Sequence, residues 1–379
     1  MYKRQLLYGV TGSGKTAVFL HVIRHVLTVG KGVIVTVPEI SLTPQTLAVF
    51  TAAFGDTVAV FHSGLSVGER MDEWKRVRTG RAKIVVGTRS AVFAPVQNLG
   101  LIVMDEEQES TYKSESTPRY HARDIAKFRV NYNRAYCLLC SATPSVESYY
   151  MAQSGKYRYH ALHHRYGDAV VPTVQLVDMN NEDLYRGKPM ISMALARAVS
   201  ENIRAGRQSI LLLNRRGYHT YAVCKDCKTV AACPNCSISM TYHAANNRLM
   251  CHYCGHSEPA YVRCKACGGE LTFSGGGTQK AEDQLREAFP EARILRVDTD
   301  TTANKYALEK KLNAFVNGEY DIMIGTQMVA KGLDFENVTL VGVLSADQSL
   351  YSDDYRSNER TFDLLTPVSY THLRAHETA

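Results

Sequence analysis

The 379-residue chain is predicted to fold as two α/β units with parallel sheets, the second interrupted by a cysteine-rich insert. Three observations predict this. Short apolar runs alternate with helical segments through residues 6–150, a second such alternation starts near residue 192, and four Cys-x2-Cys hooks break into the second.

The runs at 32–37, 57–61, 82–86, 99–104 and 136–139 are short and mostly apolar, and most are rich in Val. Such runs between helices read as parallel strands covered on both faces. Helical spacing covers 17–29. Residues 151–190 have His and Tyr in excess and no clear period, so a linker is expected there. The second alternation runs helix 193–205, strand 209–213, helix 279–288, strand 292–297, helix 303–317, strand 321–324 and strand 338–344. The expected units are therefore 1–150, then a second unit from 191–221 and 271–366, with the insert at 222–270 and a separate tail at 367–379.

Hydrophobic content of 45% supports real cores, and the apolar runs are strand-length, short of the 18 or more residues a membrane span needs. No secretory signal is apparent. A soluble, cytoplasmic protein without a membrane partner is expected. The formal charge of +7 is weak evidence for nucleic acid. Eight cysteine thiolates on two Zn²⁺ would remove a net four charges and leave +3.

Residues 9–16 read Gly-Val-Thr-Gly-Ser-Gly-Lys-Thr and fit G-x-x-x-x-G-K-[ST]. Gly9, Thr11, Gly12, Ser13 and Gly14 form a loop whose amides can close around phosphates. Lys15 reaches the β/γ-phosphates and the Thr16 hydroxyl sits on Mg²⁺. The helix that follows adds its partial positive charge at the same spot. Asp105-Glu106-Glu107 ends the run 99–104. Asp105 can hold the Mg²⁺ shell and Glu106 can polarise an attacking water. The pair predicts hydrolysis of a nucleoside triphosphate, with ATP and Mg²⁺ as ligands and Lys15, Asp105 and Glu106 as the catalytic residues.

The insert reads Cys224-x2-Cys227-x5-Cys233-x2-Cys236-x14-Cys251-x2-Cys254-x9-Cys264-x2-Cys267. Four hooks supply two tetrahedral four-thiolate Zn²⁺ sites. Nesting is favoured: Cys233, Cys236, Cys251 and Cys254 inside, with Cys224, Cys227, Cys264 and Cys267 closing the base. The insert has little apolar content, so metal is expected to supply its folding energy. Cys137 and Cys140 lie in an apolar strand and are expected to be buried there instead.

From Leu6 to Thr366 the chain resembles the PriA-type replication-restart DNA helicases of superfamily 2 (the primosomal protein N′ family). The resemblance rests on the phosphate loop and acidic pair and on Val37-Pro38-Glu39-Ile40-Ser41-Leu42-Thr43-Pro44-Gln45. Gly87-Thr88-Arg89-Ser90, Ser141-Ala142-Thr143-Pro144-Ser145, Leu213-Asn214-Arg215-Arg216-Gly217-Tyr218 and residues 325–332 add to it, as does the cysteine insert. It implies two RecA-like helicase lobes and a 3′-to-5′ DNA helicase at stalled forks. The implied partners are single-stranded and forked DNA, primosome proteins and proteins that load the replicative helicase. It assigns Thr43, Thr88, Arg89 and Lys331 to DNA. Tyr112 and Tyr120 fall in an aromatic-rich segment, 110–124, that the resemblance makes a DNA sensor; rings interleaved with Lys113, Arg119, His121 and Arg123 suit base stacking. A translocase that remodels complexes without unwinding, or a non-catalytic zinc-ribbon scaffold, are the alternatives.

The chain departs from the pattern in places. Gln108 and Leu333 stand where the family has His. No counterpart to the family's amino-terminal DNA-binding modules or adenine-contacting helix is seen. After Thr366 the family's arginine-finger motif, worth about 10³–10⁵ in rate in other NTPases, is replaced by the sequence Pro367 to Ala379. Residues 367–379 are therefore expected to be foreign to the core and unpacked, and turnover by this chain to be impaired.

Overall fold

The computed structural model describes residues 3–38, 42, 44–165, 173–213, 220–243, 246–251, 254–274, 278–297, 305–326, 335, 337–350 and 354–371. The chain divides into two units, Met1–Val171 and Pro172–Ala379.

In the first unit β1 (Arg4–Gly9), α1 (Lys15–Thr28), β2 (Gly32–Thr36), α2 (Pro44–Phe54), β3 (Val58–Phe61) and α3 (Val67–Arg78) lead into β4 (Ile84–Gly87). Then come β5 (Leu99–Met104), α4 (Ala122–Tyr132), β6 (Tyr136–Ser141), α5 (Val146–Gln153) and β7 (Arg158–Leu162). Among the described residues these strands form one parallel sheet in the order β3-β4-β2-β5-β6-β1-β7. The central strands are buried throughout, and their side chains alternate between two cores, as a period of two requires. Ile34, Val85 and Ile102 join α3 and α4 on one face. Val33, Val35, Val86 and Val103 join Phe19 and Ile23 of α1 and Phe50 of α2 on the other.

The unit extends past the boundary expected at residue 150. Residues 158–162 read Arg-Tyr-His-Ala-Leu and pair in parallel with β1. They form an edge strand, only partly buried, which is why no continuous apolar run announced it. Cys137 and Cys140 are core residues of β6, and burial pushes the Cys137 thiol up to about 12.

In the second unit α6 (Met193–Arg204) and β8 (Gln208–Leu213) precede the insert strands β9 (Thr220–Cys224), β10 (Thr241–His243), β11 (Arg248–Met250), β12 (Ser257–Pro259) and β13 (Leu271–Ser274). The chain returns through α7 (Thr278–Ala288), β14 (Ile294–Val297), α8 (Lys305–Val316), β15 (Ile322–Gly325), β16 (Val338–Leu344) and α9 (Ser357–Thr371). The described strands of the α/β part are parallel, in the order β14-β15-β8-β16. The insert is a separate antiparallel sheet, β12-β11-β10-β9-β13. Helix α9 carries on through Thr371, so the first five residues of the expected tail continue its helical backbone. Residues 372–379, with Arg374, lie outside the described residues.

Candidate functional site

The strand order collects the motifs at one edge of the first sheet. The carboxyl ends of β1, β6 and β5 are neighbours, and they carry the glycine loop, Ser141 and Asp105 respectively. Open parallel sheets bind ligands at such ends.

The loop after β1 is shaped by its glycines. Gly12 and Gly14 have φ of +77° and +85°, a region that costs other residues roughly 1–2 kcal/mol. Gly14 caps α1 with no side-chain hydrogen bond, so the helix's first amides keep their donors for a ligand. A Cβ at Gly9 would meet Ser13 Oγ at 2.5 Å. Lys15 folds back on the loop, donating to the carbonyls of Gly9 (2.7 Å) and Val10 (3.3 Å). Among the described residues, Ser13 Oγ and Thr143 Oγ1 are buried hydroxyls without a partner. Buried polar atoms are rarely left so. The loop thus fits an anionic, hydrogen-bonding group.

Asp105 hangs at the end of β5, its amide donating to Thr36 O. Burial, and Glu106 beside it, push its carboxyl up to about 7, against the pull of Lys15. A cation at this carboxylate would favour the charged form. Glu106 adopts φ +47° and accepts from Gln108 Nε2 at 2.7 Å. Ser141 donates to Gln108 Oε1 at 2.6 Å and accepts from the Thr143 amide. Gln108 therefore ties the acidic motif to the Ser-Ala-Thr motif.

Two parts of this site escaped the sequence reading. Glu107 is buried, 1% exposed, in an ion pair with Arg123 at 2.8 Å. It also accepts from the Ser145 amide and from the Ser145 and Ser148 hydroxyls. Arg123 is thus a structural clamp and not a strand contact, and His121 caps α4, accepting from the Arg123 amide. Tyr112 needs the same correction. It is 1% exposed and its hydroxyl donates toward the carbonyls of Asp105 (2.6 Å) and Thr36 (2.9 Å), so it cannot stack on a base. A Tyr or Arg in a polar loop carries no signal of burial until its partner is placed.

The other predicted strand contacts gather elsewhere. Thr88 and Arg89 follow β4, and they line a cavity of about 500 Å³ together with Tyr120. Arg89 is held by the Thr111 and Lys113 carbonyls at 3.1 and 3.3 Å. Thr43 and Lys331 lie outside the described residues, as does 214–219.

The eight cysteines of the insert form the two nested sets, Cys224, Cys227, Cys264, Cys267 and Cys233, Cys236, Cys251, Cys254, with ligand atoms within 4.8 Å of one another in each. Sγ–Sγ separations of 3.4 and 3.6 Å suit a tetrahedron with Zn–S near 2.3 Å, whose edge is about 3.8 Å. All four hooks are built alike. The amide four residues after the first cysteine returns to that cysteine's carbonyl, at 3.2, 2.8, 2.9 and 2.9 Å. That residue (Lys228, Ser237, Gly255, Gly268) always has positive φ. These are zinc-binding cysteine clusters.

Three family models match the chain: DEAD/DEAH box helicase over 2–151, the PriA DNA helicase Cys-rich region over 233–259, and the helicase conserved C-terminal domain over 271–362. Replication restart protein PriA of Bacillus subtilis is 52% identical over 97% of the chain, and that of Synechocystis 45% identical over 97%. The chain belongs to the PriA family. It spans about half the length of these PriA relatives, 46% in both cases. Among solved structures, the helicase MrfA bound to DNA superposes with a TM-score of 0.53 at 10% identity, covering 98% of this chain and 42% of that one. The DEAD-box helicase Mss116 gives 0.50 at 14% identity, with 91% and 61% covered. At such identities the likeness is one of fold, and it fits the two parallel sheets seen here. No helix among the described residues is long and apolar enough to cross a membrane.

Proposed function

We propose that the chain is the motor core of an ATP-dependent 3′-to-5′ DNA helicase. Its cytoplasmic setting would be the restart of stalled replication forks, with primosome and helicase-loading proteins as partners. One observation carries the motor reading: the glycine loop with Lys15 and the acidic Asp105 stand at the carboxyl ends of β1 and β5, on either side of β6 in one parallel sheet. The polarity and the partners rest on the family resemblance.

In this reading the loop amides and Lys15 take the β- and γ-phosphates of ATP. Lys15 exchanges the Gly9 and Val10 carbonyls for phosphate oxygens. Thr16 and Asp105 would hold Mg²⁺, which when bound neutralises phosphate charge. Glu106 orients the attacking water, and its bond to Gln108 links that carboxylate to Ser141. Thr88 and Arg89 meet the single strand's phosphates.

Magnesium-dependent binding of a fluorescent ATP analogue tests the pocket, with Lys15→Ala as control. Binding that needs Mg²⁺ and falls at least tenfold in Lys15→Ala is expected; equal affinities would refute the motor reading. Phosphate release stimulated by single-stranded DNA, and strand displacement on forks with a 3′ or a 5′ arm, then separate helicase from translocase.

A further inference from the structure

The cavity beside Thr88 has walls that phosphate tracking does not require. It is lined by Trp74 from α3, Phe93 from the turn after β4 and Tyr120 from the segment before α4, together with Arg70 and Arg89. Among the described residues that line it, none is a carboxylate. Phe93 is 53% exposed although its ring is large and apolar. Tyr120 meets it edge-to-face at 4.9 Å, fixing both rings. Arg78 sits 5.0 Å over the Trp74 ring and steadies it. The volume of about 500 Å³ falls in the range of small-ligand sites, roughly 300–1,000 Å³.

We propose that this cavity receives one unstacked base of the bound single strand, with the flanking phosphates on Arg70 and Arg89. The inference rests on the single-strand reading above and adds a base to a contact that otherwise needs only backbone. Rings give a base a stacking surface whatever its identity, because every base has a π-face. The hydroxyls of Ser90 and Thr117, also in the lining, both donate and accept, so they tolerate any base edge. An acidic peptide carrying an aromatic side chain would satisfy the guanidiniums and rings, but it would leave the lining hydroxyls less used.

Trp74 is the chain's one tryptophan, so its emission reports this cavity alone. The test titrates the whole chain with fluorescently labelled oligo-dT of twelve residues and with an abasic oligomer of equal length. Anisotropy reads binding and Trp74 emission reads the cavity. The expected result is that both oligomers raise anisotropy while only oligo-dT quenches Trp74. Phe93→Ala, at an exposed position that leaves the fold intact by circular dichroism, should weaken oligo-dT roughly tenfold and leave the abasic oligomer unchanged. Equal quenching by both oligomers, or an unmoved Trp74 while anisotropy saturates, overturns the base pocket and leaves strand binding standing. No anisotropy change with either oligomer sinks the single-strand reading itself. Quenching by a Glu/Tyr peptide where oligo-dT gives none overturns the inference in favour of a peptide.

Discussion

Replacing Arg123 with Met would remove a cation while keeping most of its stem. Glu107, whose side chain is 0% exposed, would then face the Ser145 amide and the Ser145 and Ser148 hydroxyls alone. Breaking a buried pair by removing one partner costs about 3–5 kcal/mol, because an uncompensated charge is left behind. The lower end applies here for two reasons. Three donors remain on the carboxylate, and Arg123 Nε already lacks a partner among the described residues. About 3 kcal/mol in a unit of this size corresponds to a fall in melting temperature of roughly 6–12 °C. Trp74 lies in the first unit, so its fluorescence during thermal or urea unfolding reads that unit without the second. The double variant Arg123→Met/Glu107→Gln should regain at least about 1 kcal/mol, since it removes the stranded charge. A single variant within about 1 kcal/mol of the parent, or a double variant no better than the single, would refute the assignment of Glu107–Arg123 as a buried clamp.

Zinc assay after thiol modification should return two equivalents per chain, and Cys→Ser at one nested set should remove one of them. In native protein stripped of metal, eight thiols should react with iodoacetamide, while Cys137 and Cys140 react only on unfolding; reaction of all ten in the native state would contradict the core placement. Gly14→Ala puts a Cβ into open space but at φ +85°, so a backbone cost of roughly 1–2 kcal/mol should appear as weaker nucleotide binding, read by titration of the same ATP analogue. Tyr112→Phe removes one hydroxyl near the Asp105 and Thr36 carbonyls and should cost about 1 kcal/mol, measured by unfolding followed at Trp74, with less loss of magnesium-dependent affinity than Asp105→Asn.

The parallel strands were readable because burial on both faces leaves no polar residue in the run, as in Val33–Val35 and Leu101–Met104. Edge strand β7 was not, because one half-covered strand mixes Arg, Tyr and His with Ala and Leu. The glycine loop and the cysteine hooks were readable for a different reason. Their chemistry demands particular residue types at fixed local spacing, and the nested pairing followed from the lengths of the links. Tyr112 and Arg123 were misassigned because both are amphipathic. Sequence gives the residue's charge or ring but not whether a carbonyl or a buried carboxylate waits for it elsewhere along the chain or across the sheet. The two most consequential burials in the site were therefore the least legible.

These same two burials give the segment 105–123 a definite mechanical character. Its start is fixed at the end of β5 by the Asp105 amide and by the Tyr112 hydroxyl on the Asp105 carbonyl. Its end is fixed by Arg123 on Glu107. Between them, Lys113 bridges to His121, and the Ser114 amide donates to the Tyr120 carbonyl at 2.7 Å. The hairpin so formed puts Ser114 and Tyr120 into the wall of the cavity beside Arg89, and Arg89 grips the hairpin's base through the Thr111 and Lys113 carbonyls. One short segment thus touches both the acidic motif and the cavity. An occupant that shifts Tyr120 must either bend a hairpin clamped at both ends or move Tyr112 against the Asp105 carbonyl. Coupling by this route is a physical claim with a physical test: cutting the Tyr112 hydroxyl bond should reduce the stimulation of phosphate release by single-stranded DNA more than it reduces the rate without DNA.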